Sequence, residues 1–254
     1  MNDAFDLGGK IAFVSGASRG IGEAIARTLA AHGAHVVVSS RKADACARVV
    51  DEITRAGGRA EAIACHIGEP AQIAEAMGRI EASHGRLDIL VNNAATNPYF
   101  GPVVDADLGA FQKTVDVNIR GFFVASCAAV KLMQRNGGGA IVNIASIGGV
   151  VPGPNQGVYS ITKAAVIGMT KVFAAECAQM GVRVNAVLPG ITETKFTTAL
   201  VGDEALLGHY LQHVPLSRVA QPQEIAGAVL YLVSPAASYT TGVCLPVDGG
   251  YLVK

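Results

Sequence analysis

Short, wholly apolar, β-branched runs alternate along the chain with longer stretches in which apolar residues recur every three to four positions. The run IAFVS at 11–15 is followed by helical periodicity over 22–32, and VVVS at 36–39 by the same periodicity over 42–56. The pattern then predicts strands at 60–65, 87–91, 140–145, 182–188 and 243–247, and helices at 70–84, 107–135, 157–180 and 222–233. Strands that read as continuous apolar segments (VVV, ILV, AIVNIA, VNAVL) suit a parallel sheet covered on both faces by crossover helices. No linker or repeat interrupts the rhythm. The expectation is a single α/β domain over 1–254, a three-layer sandwich around a seven-stranded parallel sheet.

Two departures from the pattern carry information. The stretch 192–217, with Gly202, Gly208 and Pro215 among polar residues, is too irregular for another βα unit and reads as a substrate lid. Helix 164–180 carries only Lys171 and Glu176 as charges, and 121–133 only Lys131, so neither has a wide solvated face. Outer-layer helices this apolar predict cover by a second subunit, hence a homo-oligomer.

Composition narrows the partners. With 50% hydrophobic and 16% charged residues the chain is globular, and Lys+Arg and Asp+Glu both total 20. A formal charge of zero offers no cationic surplus for nucleic acid or an anionic bilayer, and no uninterrupted apolar run approaches the ~20 residues of a membrane span. The 5 cysteines lack any C-x-x-C pair, which argues for free thiols rather than disulfides or zinc, and no metal site is expected. The start MNDAFDLGGK lacks the order of a secretory signal. A cytoplasmic protein is expected.

The first strand runs into Ser15, Gly16, Ala17, Ser18, Arg19, Gly20, Ile21 and Gly22, at the head of an amphipathic helix. Glycines there let a pyrophosphate approach backbone N–H groups at the positive end of the helix dipole. The spacing G-x-x-x-G-x-G differs from the commoner G-x-G-x-x-G, and a tight turn alone would also explain it. An acidic residue ending the second strand would favour NAD; this chain has Ser39, Ser40 and Arg41 instead. Two hydroxyls and a guanidinium, with Arg19 close by, suit a ribose 2′-phosphate and predict NADP(H) in preference to NAD(H).

Tyr159 and Lys163 stand one turn apart on one helix face. An ammonium ~4 Å from a phenol contributes up to ~4 kcal/mol at an effective dielectric near 20, which would draw the tyrosine toward neutrality as an acid or base. Ser146 follows a strand at the end where open α/β sheets keep their ligands, and its hydroxyl could bind a carbonyl oxygen. Taken singly, Y-x-x-x-K and a lone serine are common patterns.

Together with Asn92-Asn93-Ala94-Ala95, Asn118 and Pro189-Gly190, these motifs resemble, in order and spacing over the whole chain, the short-chain dehydrogenase/reductase family. The resemblance implies a Rossmann-like fold and a catalytic tetrad of Asn118, Ser146, Tyr159 and Lys163. It implies that Asn118 orders a water behind Lys163, that Lys163 also binds the nicotinamide ribose, that Asn92 supports the sheet and the cofactor region, where Asn93, Ala94, Pro189 and Gly190 also line the cofactor, and that Ile191 and Thr194 contact the carboxamide. Asp248-Gly249-Gly250 looks like the family's tetramer-contact end, which makes a homotetramer the expected assembly. Ser15 replaces the commoner Thr, and His66, followed by Ile67, stands where an Asp usually bonds the adenine, which puts that contact in doubt. Segments 65–68 and 92–102 look similar to the NADPH-dependent carbonyl and retinal reductases of the dehydrogenase/reductase member 4 type. The implied reaction is reversible reduction of a small-molecule ketone or aldehyde. The alternatives are a 3-oxoacyl thioester reductase acting on acyl carrier protein, for which Arg135 is the nearest basic candidate, and a noncatalytic NADPH-binding scaffold.

Overall fold

The computed structural model describes residues 4–195, 197 and 204–253, the side chains of Glu204 and Leu206 excepted. Seven parallel strands, β1 (Ile11–Ser15), β2 (His35–Ser40), β3 (Arg59–Ala64), β4 (Ile89–Asn92), β5 (Gly139–Ile144), β6 (Val182–Pro189) and β7 (Cys244–Val247), form one sheet in the order β3-β2-β1-β4-β5-β6-β7. The order reverses beside β1, so the C-terminal ends of β1 and β4 splay around a crevice where open α/β sheets hold ligands.

Helices cover both faces. On one, α1 (Gly20–Ala31), α2 (Ala43–Arg55) and α8 (Pro222–Val233) pack through Ile25, Leu29, Val49, Ile225 and Val229 onto alternate residues of β1, β2 and β5. On the other, α3 (Pro70–His84), α5 (Gly121–Arg135) and α6 (Gly157–Cys177) meet Phe13, Val37, Leu90 and Ile141, and α4 (Leu108–Val115) packs beside α6. Burial of both strand faces explains the unbroken apolar runs. The short α7 (Glu204–Leu211) lies within the stretch expected to be a lid.

Helix ends follow local chemistry. Asp107 caps α4 by accepting from the Gly109 and Ala110 N–H groups. α8 opens with a capping box between Gln221 and Glu224 and with Pro222 at its first turn. α3 stops at Gly85, whose φ of +67° suits a residue without a Cβ.

Two expectations need correction. The helix over 107–135 is interrupted by a π-helical turn, Asp116–Arg120, between α4 and α5. Gly121 follows it because a Cβ there would strike the Ile67 carbonyl. The turn lets the chain pass this close contact without breaking. Second, Gly157–Met180, which is α6 and its terminal turn, is long and apolar enough by length and composition to cross a bilayer. This helix packs along the sheet and buries Lys163, Thr162 and Thr170 on that side, while Ile161 and Val172 on the other side are exposed.

Candidate active site

At the end of β1 the chain turns through Gly16 (φ +66°) into α1 at Gly20 (φ +59°). A Cβ at Gly16 would lie 2.8 Å from the Ala94 Cα, and one at Gly22 would strike the Asn93 amide and the Gly16 carbonyl. The loop is tied to the end of β4. Ser15 Oγ donates to the Val91 carbonyl (3.3 Å) and accepts from the Asn93 and Ala94 N–H groups (3.0 and 3.2 Å). Asn93 Nδ2 donates back to the carbonyls of Ser15 (2.9 Å) and Gly16 (3.1 Å). Serine keeps the hydroxyl that this junction needs. Arg19 caps α1 without a side-chain hydrogen bond, so the first-turn N–H groups face the cradle with no internal partner, while Ile21 anchors the turn in the core.

β2 ends beside this cradle, its Ser39 carbonyl accepting from the Ala17 N–H at 2.9 Å. The Ser39 hydroxyl is buried and has no hydrogen-bond partner. Ser40 is turned onto its own loop, donating to the Lys42 carbonyl and accepting from the Cys46 thiol. Arg19 and Arg41 are exposed and make no ion pair among the described residues. A third cation that sequence reading missed, Arg48 on α2, donates to the Ser18 carbonyl (3.2 Å) but is held by Glu23 (2.6 Å) and Glu52 (3.0 Å). A cradle that any Cβ would fill and an orphaned hydroxyl at the tip of β2 fit a dinucleotide.

The four expected catalytic residues converge at the same end of the sheet. Asn118, fully buried on the π-helical turn, accepts from the Thr96 N–H (2.9 Å) and donates to the Thr96 carbonyl and Thr162 Oγ1 (3.0 Å each). Thr162 Oγ1 donates in turn to the Tyr159 carbonyl (2.7 Å). Ser146, just past β5, accepts from the Gly148 N–H (3.0 Å), and its hydroxyl is hydrogen-bonded to the Tyr159 phenol. Lys163 is buried, with Nζ donating to the Ile144 carbonyl (2.7 Å) and lying 5.5 Å from the centroid of the Tyr159 ring.

Burial pushes the Tyr159 phenol up to about 12 against the opposing pull of Ser146, and drives the Lys163 ammonium down to about 7. Burial thus opposes the pull that the ammonium is expected to exert on the phenol. Both groups have lost water, which disfavours the charged form of each. At neutral pH the phenol carries its proton, the form that can donate to a developing alkoxide.

The remaining expected residues divide. Asn92 ends β4 within the sheet, donating to Asn143 Oδ1 (2.9 Å) and Ser126 Oγ (3.0 Å). Pro189 ends β6, and Gly190 permits close approach, since a Cβ there would lie 2.9 Å from the Asp248 Cα. Thr194 reaches over the cradle, its methyl lying 3.3 Å from where a Gly20 Cβ would be. The Ile191 N–H donates to Tyr210 Oη of α7 at 3.2 Å, and the Tyr210 ring stacks on Tyr251 (5.0 Å). His66 turns Nδ1 onto the Gly68 N–H (3.0 Å), so its ring is engaged in its own turn, while Ile67 is buried. Part of the lid stretch, residue 196 and residues 198–203, lies outside the described residues. Asp248 accepts from the Gly250 and Leu252 N–H groups, and Gly250 packs on Pro215, so this segment is tied to its own chain. Thr162 was not singled out from sequence. Its signal was its place inside the Y-x-x-x-K turn.

Comparison with known proteins agrees with this geometry. The family described as Enoyl-(Acyl carrier protein) reductase matches residues 16–252. The chain is similar to Dehydrogenase/reductase SDR family member 4 of Oryctolagus cuniculus, 40% identical over 96% of this chain and 94% of that protein. It is equally similar to a 3-oxoacyl-[acyl-carrier-protein] reductase of Synechocystis, 40% identical over 97% and 98%. Among solved structures, gluconate 5-dehydrogenase of Burkholderia cenocepacia in complex with NADP and tartrate superposes with a TM-score of 0.96 at 33% identity, covering 99% of this chain and 98% of that one. A 7 alpha-hydroxysteroid dehydrogenase complexed with NADH superposes at 0.94 with 37% identity, covering 98% and 97%. With sheet order, cradle and Ser-Tyr-Lys-Asn grouping in one place, the chain belongs to the short-chain dehydrogenase/reductase family and is an oxidoreductase.

Proposed function

We propose that this protein is an NADP(H)-dependent reductase that converts a small, partly apolar ketone or aldehyde to an alcohol, reversibly. One observation carries the reading: Ser146, just past β5, and the Tyr159 phenol interact beside a buried Lys163 whose Nζ lies 5.5 Å from the Tyr159 ring, at the same end of the parallel sheet as the glycine cradle. A bound nicotinamide dinucleotide supplies or accepts the hydride. Ser146 holds the substrate oxygen and Tyr159 donates the proton to it. Lys163 fixes the phenol's surroundings, and Asn118, through Thr162 and the Tyr159 carbonyl, holds the helix turn that carries both. Positioning and polar preorganisation are the protein's part of the catalysis.

Gly16, Ser18, Arg19, Gly20, Ile21 and Gly22 would hold the diphosphate, while Ser39, Ser40, Arg41 and Arg19 would hold the adenosine end. Arg19 and Arg41 stay uncommitted while Arg48 is spent on Glu23 and Glu52, which supports a 2′-phosphate and hence NADP(H). α7, bonded to Ile191 through Tyr210, supports the reading of 192–217 as a substrate cover. The Synechocystis relative favours a second reading, reduction of a 3-oxoacyl thioester presented by a carrier protein. Against it, Arg135 is already paired with Glu81 at 2.8 Å. Buried thiols at Cys46, Cys65 and Cys177, all free, suit the cytoplasm.

Tyr159→Phe should lower kcat by about 100-fold or more, the scale of general acid catalysis, while NADPH still binds by fluorescence titration. A variant that keeps most of its rate would refute the role. Assaying NADPH oxidation with simple ketones, aldehydes and acetoacetyl thioesters in parallel separates the two substrate readings.

A further inference from the structure

At the opposite rim of the sheet from the cradle, three side chains that no sequence motif links come together. His35 opens β2, Glu61 lies on the edge strand β3, and His84 ends α3. In the β2–β3 register His35 pairs with Arg59 and Val37 with Glu61. Side chains alternate along a strand, so His35 and Glu61 point to the face that α3 covers. There His84 Nε2 lies 2.6 Å and His35 Nε2 lies 3.8 Å from the same Glu61 Oε1, and the two imidazole rings are 4.7 Å apart. The three donor atoms all fall within 4.8 Å of one another.

We propose that His35 Nε2, Glu61 Oε1 and His84 Nε2 form a binding site for a divalent transition ion, with Zn2+ the best match. Two imidazoles and one carboxylate are a zinc donor set, with water completing the tetrahedron. A hydrogen bond between His84 and Glu61 would account for two of the three residues. It does not account for His35, whose Nε2 is buried without a hydrogen-bond partner while aimed at the same carboxylate oxygen. Binding at about 2 Å from each donor asks Glu61 and His84 to part slightly and His84 to present the Nε2 lone pair, with its proton on Nδ1. Burial, and then the neighbouring His84 and Arg59, keep the His35 pKa below its usual value despite Glu61, so its lone pair is available at neutral pH. The ion would clamp the edge strand and the end of α3 to the start of β2, about 13 Å along the strand from Ser39.

The test uses the full chain after chelator treatment. Co2+ should produce a ligand-field absorption that saturates at one ion per chain and is displaced by Zn2+. Saturating Zn2+ should raise Tm by about 5 °C. His84→Gln and His35→Gln should each weaken Zn2+ binding by about 100-fold or more while leaving NADPH-dependent turnover intact; His35→Gln removes no hydrogen bond at Nε2. His209→Gln with His213→Gln, whose rings lie 5.3 Å apart on the surface, should leave the signal unchanged. No stoichiometric Co2+ signal, a signal that survives His35→Gln and His84→Gln, or one removed by the His209/His213 changes would overturn the proposal.

Discussion

A single hydroxyl or amide decides much of this site. Ser15 satisfies two backbone donors and one acceptor at the β1–β4 junction, and Asn118 spends its whole amide on Thr96 and Thr162. Each buried polar group so paired would cost about 1–3 kcal/mol if its partner were removed. Arg41 is the opposite case: it is exposed and makes no ion pair among the described residues, so its value lies in what it meets. On the NADP(H) reading, Arg41→Asp should raise the KM for NADPH by about 10-fold or more, as expected for losing a charge-assisted phosphate contact, and change the KM for NADH little. Steady-state kinetics with both dinucleotides checks this, and equal effects would assign Arg41 to solvent. These contacts had uneven signals in the sequence. Ser146, Tyr159 and Lys163 were legible because strand ends and helix spacing place them. The pairing of Asn118 with Thr96, and of Lys163 with the Ile144 carbonyl, was not, because only tertiary approach makes them partners.

At the scale of elements, glycine and the π-helical turn do comparable work. The cradle needs α1 to start where β1 stops, with β4 pressed on the loop, and Gly22 is the point at which no side chain fits. Gly22→Ala should therefore cost about 1–3 kcal/mol of stability through overpacking and weaken dinucleotide binding, read by thermal denaturation and NADPH titration. Wild-type affinity with unchanged Tm would contradict the close approach. The turn at Asp116–Arg120 aims Asn118 inward and is followed by Gly121 against Ile67. The apolar period over 107–135 reads straight through this turn, since it inserts a wider turn without altering which residues are hydrophobic.

For the whole molecule, the outer helices remain unresolved by a single chain. Phe123 of α5 and Val172 of α6 are 51% and 54% exposed, and Leu108 at the start of α4 is 82% exposed. The sparse charge on these helices, together with this exposure, supports a homo-oligomer, a tetramer on the family resemblance. Light scattering at micromolar concentration should give a multiple of the chain mass, and Phe123→Glu with Val172→Glu should shift it toward the monomer. A monomeric wild type would sink the assembly. The sequence by itself determined the βα rhythm, the position of the glycine loop and the Tyr–Lys turn, because these follow from local periodicity and backbone sterics. Only the tertiary structure decided that desolvation, rather than the neighbouring ammonium, dominates the Tyr159 proton. It alone showed that Arg48 is spent while Arg41 is not, and that His35, Glu61 and His84 share one corner. Those outcomes depend on which distant residues meet and how much water they lose, and no pattern along a chain records either.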